Sequence, residues 1–230
     1  MIRKEKNGLV WFEFELLQKY PQVLHGVFAY CNNMDSVKNI FYKNSEIPLI
    51  SARQIHKTNI HVIKNRPIHD MEVLDTDILV TDQIDVMLMI RHADCQAAII
   101  YDIKNNVLGL VHAGWKGQVQ NIYKKTIDYF VEKYNSSTEE ILVLISPSLG
   151  PDYSEFINYR TEFPVEFYKY QKENDLFDLW QIAYDQLIAC NILDKNIEIA
   201  RMCTFSEEKL FHSYRRNKTQ KRNATCAVLT

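Results

Sequence analysis

The chain has 230 residues, enough to bury about 70% of its unfolded surface without disulfide or metal staples. Hydrophobic residues make up 47% and charged residues 24%, with 6 glycines and 6 prolines, which excludes disordered, collagenous and low-complexity classes. The 27 basic and 29 acidic residues leave a formal charge of −2, without the basic excess that nucleic-acid binders use to displace counterions.

Five cysteines, Cys31, Cys95, Cys190, Cys203 and Cys226, form an odd set with no Cys-x-x-Cys pair. Reduced thiols are expected, and neither a disulfide framework nor a zinc ribbon. The stretch Leu9 to Phe12 is apolar but is broken by Glu13 and Glu15, too short for a signal-peptide core. Val86 to Ile90 runs straight into Arg91, so no membrane span is expected and a cytoplasmic location is.

In chain order, strands are predicted at Ile60–Ile63, Ile78–Thr81, Val86–Ile90, Ala97–Tyr101 and Val107–Val111. Several are solidly apolar, which suits sheets covered on both faces in a layered α/β or α+β fold. Asp82-Gln83 and Lys104-Asn105-Asn106 are polar turn punctuation, so antiparallel neighbours are expected. After Gly117 the period becomes 3.6: Val119, Ile122, Tyr123, Thr126, Ile127, Phe130 and Tyr134 share one helix face, ended by Asn135-Ser136-Ser137. A strand at Ile141–Ile145 follows, and Pro147, Gly150 and Pro151 force a loop. A second helix carries Leu179, Ile182, Ala183, Leu187 and Cys190 behind Asp178 as N-cap, and 197–200 and 225–229 read as closing strands. With no repeat or linker, residues 1–230 are expected to form one domain.

Chemistry concentrates around His112-Ala113-Gly114-Trp115-Lys116-Gly117, where a strand meets a helix N-terminus through a turn with two glycines. Free backbone N–H groups and Lys116 there favour an anion; the competing reading is a turn with Trp115 packed as core. If the strands on either side of Lys104–Asn106 form a hairpin, counting outward brings Cys95 and His112 to the same end. They then form a nucleophile pair, two ligands of a metal, or an inert buried pair.

Six segments in order carry a family resemblance: Arg53-Gln54-x-His56, Thr76-Asp77-x-Leu79-Val80-Thr81, Ala93-Asp94-Cys95, His112 to Gly117, Ser146 to Pro151, and Cys203-Thr204 with Phe211 to Arg216. From residue 50 onward the chain resembles the YfiH-like proteins, whose members carry the names purine nucleoside phosphorylase, polyphenol oxidase (laccase domain) and peptidoglycan editing factor. The resemblance implies an α+β fold in an α/β/β/α sandwich with mixed, largely antiparallel sheets, and a metal site on His56, Cys95 and His112.

Two imidazoles and a thiolate suit zinc with a fourth position open, the catalytic arrangement. Copper fits less well, because one cysteine and two clustered histidines supply at most one site. What the resemblance implies is zinc-dependent phosphorolysis of adenosine or inosine to free base and ribose 1-phosphate, together with adenosine deamination. Cys95, His112 and Asp77 are the catalytic candidates, Asp77 by fixing the tautomer of a ligand histidine. Arg53, Gly114, Lys116 and Arg215 are the candidates for substrate and phosphate contact.

The expected partners are a purine nucleoside and phosphate, with no nucleic acid or membrane, and a monomer or homodimer. The alternatives are amide hydrolysis of a peptidoglycan precursor, a metal-free hydrolase with Cys95 as nucleophile and His112 as base, and a non-enzymatic binding domain. His25, His61, His69 and His92 are expected to be structural or exposed, and Cys31, Cys190, Cys203 and Cys226 to be packing residues. The basic stretch Arg215 to Arg222 is expected to be an exposed loop, because no aromatic platform is interleaved. The chain departs from the family at His25 to Cys31, Ala97, Ser146 and Thr219-Gln220-Lys221-Arg222, so one pocket wall is expected to differ.

Overall fold

The computed structural model describes residues 1–30, 34–41 and 47–230; Cys31 lies outside them. Its strands are β1 (Ile2–Lys6), β2 (Leu9–Glu13), β3 (Val23–Phe28), β4 (Leu49–Ala52), β5 (Ile60–Ile63), β6 (Met71–Val73), β7 (Ile78–Thr81), β8 (Met87–His92), β9 (Gln96–Asp102), β10 (Val107–Ala113), β11 (Ile141–Ile145), β12 (Ile197–Ile199) and β13 (Asn223–Leu229). They form a seven-stranded sheet in the order β1-β2-β3-β13-β8-β4-β6 and a six-stranded sheet in the order β12-β11-β9-β10-β7-β5. Most neighbours are antiparallel, while β4 runs parallel to β6 and β8, β5 to β7 and β11 to β12. The sheets are therefore mixed, as the resemblance implies.

The two sheets stack face to face with helices on their outer faces, four layers in all. Between the sheets lie Phe12, Val27, Ile90, Ile99, Leu110 and Leu144, all buried. The helices in chain order are α1 (Met34–Phe41), α2 (Trp115–Val119), α3 (Ile122–Tyr134), α4 (Tyr159–Glu162), α5 (Leu179–Ala189) and α6 (Tyr214–Asn217). Ile127 and Phe130 of α3 and Leu187 of α5 pack on Ile100, Val111 and Val143 of the six-stranded sheet. Val37 of α1 packs with Trp11, Met89 and Val228 on the outer face of the other. Gly109 permits this contact in β10, since a Cβ there would stand 3.1 Å from the Phe130 ring.

Two expectations need correction. The predicted helix through 119–134 is two helices, because Asn121 takes the left-handed conformation (φ 53°) and its side chain caps α3 by accepting from Lys124 N–H at 3.3 Å. The pattern also misses β1 to β4 and β6; of these β1 lies at the sheet edge with polar Arg3, Lys4 and Glu5. The Asp178 cap is as expected: its Oδ1 accepts from Trp180 N at 3.1 Å and Gln181 N at 3.0 Å. Ahead of it, residues 151–178 hold few regular elements and are packed instead by Phe156, Tyr159, Phe163, Phe167 and Phe177.

Candidate metal centre and cleft

The β9–β10 hairpin pairs Val107 with Asp102 and His112 with Ala97, so its equal arms deliver Cys95 and His112 to one end. Asp102 Oδ1 fixes the turn by accepting from Lys104 N and Asn105 N, each at 2.9 Å. Cys95 stands where the chain passes from β8 of one sheet to β9 of the other, a tight crossing made by Asp94 at φ 89°. His56 follows β4 in a loop and is itself left-handed, at φ 60°, a conformation that persists only where its surroundings hold it.

What holds it is Asp77, which is fully buried. Its Oδ1 accepts from His56 N at 3.0 Å, and its Oδ2 from Lys57 N at 2.9 Å and Ile55 N at 3.2 Å. Oδ1 also meets His112 Nδ1 at 2.8 Å, which leaves His112 Nε2 for the site. One carboxylate thus shapes the His56 loop and sets the His112 ring. Burial works to raise the Asp77 pKa, but the bond to His112 and the backbone donors hold it below the ordinary value.

Burial likewise opposes the Cys95 thiolate, but the charge of His112 and bonds from His112 and His56 draw the thiol below its ordinary pKa. The same pairing, helped by Asp77, raises His112 against its own burial. Thiolate and imidazolium stabilise one another.

The donor atoms of His56, Cys95 and His112 lie within 4.8 Å of one another. Cys95 Sγ is 3.9 Å from His56 Nε2, and the two imidazoles meet edge to face at 4.9 Å. Ligand atoms around a tetrahedral zinc stand roughly 3.4–3.8 Å apart, so small shifts would close this set on an ion. Gly114 is what allows it: a Cβ there would sit 2.9 Å from His56 Cδ2 and 3.1 Å from Cys95 Sγ. The three residues fit a single metal ion, and among the described residues this is the one such group.

These residues form the floor of a cleft of about 900 Å³. Trp115, Leu149, Phe156 and Leu179 give it an apolar side, and Arg215, Lys218 and Arg222 a cationic one. Arg215 lines this cleft, with Nη1 donating to Glu155 O at 2.9 Å and the guanidinium over the Phe156 ring. Arg53 also reaches the cleft, but Nε and Nη2 both donate to Glu72 Oε2, and Glu72 binds Arg91 through its other oxygen.

Lys116 does not reach it. It lies on the exposed side of α2, next to buried Gly117 and Gln118, with its ammonium 5.4 Å from the Trp115 ring centroid. The stretch Arg215 to Arg222 is likewise not merely an exposed loop, because α6 and the residues after it wall the cleft.

Three cleft residues are not among the candidates above, although His92 is structural as expected. Asp94 accepts from Thr204 Oγ1 at 2.7 Å and from Arg215 N at 2.5 Å, while its carbonyl accepts from Leu149 N at 2.9 Å. It ties the Cys95 turn to both sides of the cleft, and its place beside Cys95 in the motif was the available signal. His92, buried in β8, lines the cleft and contacts Thr225 Oγ1 through Nε2 at 2.9 Å. Gln96 takes bonds from Tyr123 Oη at 2.6 Å and Gln118 Nε2 at 3.1 Å, and donates to Leu179 O. Cys203, by contrast, packs as expected, accepting from Gly150 N at 3.1 Å.

A sequence profile described as "Multi-copper polyphenol oxidoreductase laccase" matches residues 30–230. A protein of Bacteroides thetaiotaomicron named purine nucleoside phosphorylase is 29% identical over 189 residues, which are 75% of this chain and 70% of that one. A Clostridium acetobutylicum protein of the same name is 33% identical over 157 residues, 64% of each chain. One from Campylobacter jejuni is 27% identical and covers 87% of this chain and 85% of its own. Among solved structures, YlmD from Geobacillus stearothermophilus superposes with a TM-score of 0.83 at 19% identity, covering 98% of this chain and 97% of that one. The Bacillus licheniformis YfiH structure gives 0.79 at 22% identity, covering 96% of both. At these identities the structures establish the fold alone.

Proposed function

The chain belongs to the multi-copper polyphenol oxidoreductase laccase family, and within it we propose a zinc-dependent purine nucleoside phosphorylase that also deaminates adenosine. The observation that carries this is the group His56, Cys95 and His112, three ligands on the floor of a cleft with one apolar and one cationic side. The names of its relatives support the same reaction class. A single His-Cys-His group suits one ion; a copper cluster would need many more histidines.

Bound zinc would supply Lewis acidity and an activated water. The chain's own residues do the rest. Asp77 keeps His112 oriented through Nδ1 and holds the His56 loop. Trp115, Phe156 and Leu179 offer a surface against which a purine can pack away from water. Arg215, held through its backbone by Asp94, offers a guanidinium to the attacking phosphate.

The test is turnover of inosine with phosphate, and of adenosine, followed by chromatography of free base and inosine. His56→Ala is expected to remove about one equivalent of zinc and at least 100-fold of the rate. The coupling of Cys95 with His112 favours a second reading, a metal-free nucleophile and base. It is distinguished by metal content, since a dyad of Cys95 and His112 has no zinc to lose in His56→Ala, whatever that variant does to the rate.

A further inference from the structure

We propose that the substrate is a nucleoside 5′-phosphate, whose own phosphate is held by Lys218 and Arg222; this rests on the nucleoside reading above and narrows it. The starting point is charge. The protein as a whole carries −2, yet among the described residues Arg53, Arg91, Arg215, Lys218 and Arg222 line the cleft against one lining carboxylate, Asp94. Both Asp94 oxygens are already engaged, by Thr204 Oγ1 and by a backbone N–H. Arg53 and Arg91 share Glu72. Among the described residues, Arg215, Lys218 and Arg222 have no acidic partner within ion-pair distance.

These cations are nonetheless placed rather than loose. Arg222 Nη1 donates to Thr219 O at 2.8 Å and Lys221 O at 2.9 Å, and the Lys218 ammonium stands 4.9 Å from the Tyr214 ring centroid. Carbonyls and ring faces orient a cation without cancelling its charge. Phosphorolysis of an uncharged nucleoside occupies Arg215 with the attacking phosphate and leaves Lys218 and Arg222 facing the ligand with nothing to bind. A second phosphate, on the sugar, uses both.

The reaction is otherwise unchanged. Inorganic phosphate attacks C1′, the C1′–N9 bond breaks with its electron pair going to the base, and the base takes the proton that the attacking phosphate loses. Free base and ribose 1,5-bisphosphate result.

Inorganic phosphate shares the recognised chemistry, so the experiment separates the two sources. Dissociation constants of the zinc-loaded protein are measured by calorimetry for adenosine, adenosine 5′-monophosphate and inorganic phosphate, with the double variant Lys218→Ala/Arg222→Ala alongside. The expected result is a monophosphate at least about 10-fold tighter than adenosine, an advantage that shrinks to less than about 3-fold in the variant and with rising salt. Adenosine bound as tightly as its monophosphate overturns the inference and leaves the nucleoside reading standing, as does an advantage that survives in the variant. Inorganic phosphate that loses its own affinity in the variant, with adenosine and its monophosphate indistinguishable, assigns the two cations to the free ion and overturns it too. If neither adenosine nor its monophosphate binds, both readings fall.

Discussion

The floor of the cleft and its cationic side each hang on one aspartate. Asp77 is fully buried and takes four donors, three backbone N–H groups and His112 Nδ1, all from the ends of strands or the loop after β4. Asp94, left-handed at φ 89°, takes one hydroxyl and one backbone N–H from two loops distant in sequence. Removing an acceptor from the first strands donors gathered around a fully buried carboxylate, the buried His112 Nδ1 among them, whereas the second loosens loops that water can reach. The floor is thus built into the fold, and the side is a detachable fitting on it.

Asp77→Asn tests this most severely. An amide puts an N–H group where an oxygen now accepts, so about two of the four donors lose their partner at a cost of about 1–3 kcal/mol each. The melting temperature is expected to fall by roughly 5–20 °C, and zinc affinity by about 10–100-fold. A variant that melts within 2 °C of the parent would sink the account of Asp77 as the hub of the floor. Gly114→Ala is expected to act on the metal more than on the fold, because its Cβ would press on His56 Cδ2 and Cys95 Sγ. Zinc per chain, measured by mass spectrometry on protein with an unchanged circular dichroism spectrum, should drop at least about 10-fold.

The same division decides what the sequence discloses. Ile60–Ile63, Ile78–Thr81 and Ile141–Ile145 are strands at the expected bounds, and the last two show why: buried strands read as nearly unbroken apolar runs. Counting along the hairpin from Lys104–Asn106 places Cys95 near His112, so half of the floor is legible from local pattern. His56 is not: its position depends on Asp77, a contact that no period encodes, and only the family resemblance points to it. The cationic side is hidden for the same reason. Arg215 is a candidate from its motif, but Lys218 and Arg222 look like solvated charge until Asp94, far away in sequence, is seen to anchor their stretch by receiving the Arg215 N–H. β1 and β6 escape because they are short and carry polar, exposed residues; β2, β3 and β4 are more buried and escape because glutamate, histidine and serine break their apolar runs.

His92 belongs to the floor by burial although it lines the cleft, and acid should reveal that. Burial first, then the charge of His112, lowers its pKa from 6.5 to about 3. The unfolded chain therefore binds a proton at this position below about pH 6.5 that the folded chain refuses. Stability from His92 is complete above that pH and is lost as the pH falls toward 3, at about 1.4 kcal/mol per unit. His25, lowered by burial as well, adds in the same direction. Melting temperatures between pH 7.5 and 4.5 should fall more steeply for the parent than for His92→Gln; equal slopes would remove His92 from the account.

Asp94→Asn should cost less than any of these. One donor at most loses its partner, worth about 1–3 kcal/mol if fully buried and less where water replaces it. Zinc content is expected to stay within about 2-fold while KM for phosphate rises several-fold, since a neutral amide holds the Arg215 N–H less firmly than a carboxylate does. Metal lost together with phosphate affinity would mean that floor and side are one unit after all.

The smallest effect is expected at Lys116, which the strand-turn-helix pattern offers as an anion contact and the structure directs away. Its ammonium rests on the outer side of α2 over the Trp115 ring, while Arg215 occupies the cleft. An exposed cation that does not line the cleft acts on a bound phosphate only through solvent, whose high dielectric weakens the attraction. Lys116→Ala is accordingly expected to change KM for phosphate by less than about 2-fold, whereas Arg215→Ala raises it by at least about 10-fold. A loss at Lys116 equal to that at Arg215 would show that α2 turns its first residues inward when substrate binds, and would move the anion contact from the loops to the strand-turn-helix unit.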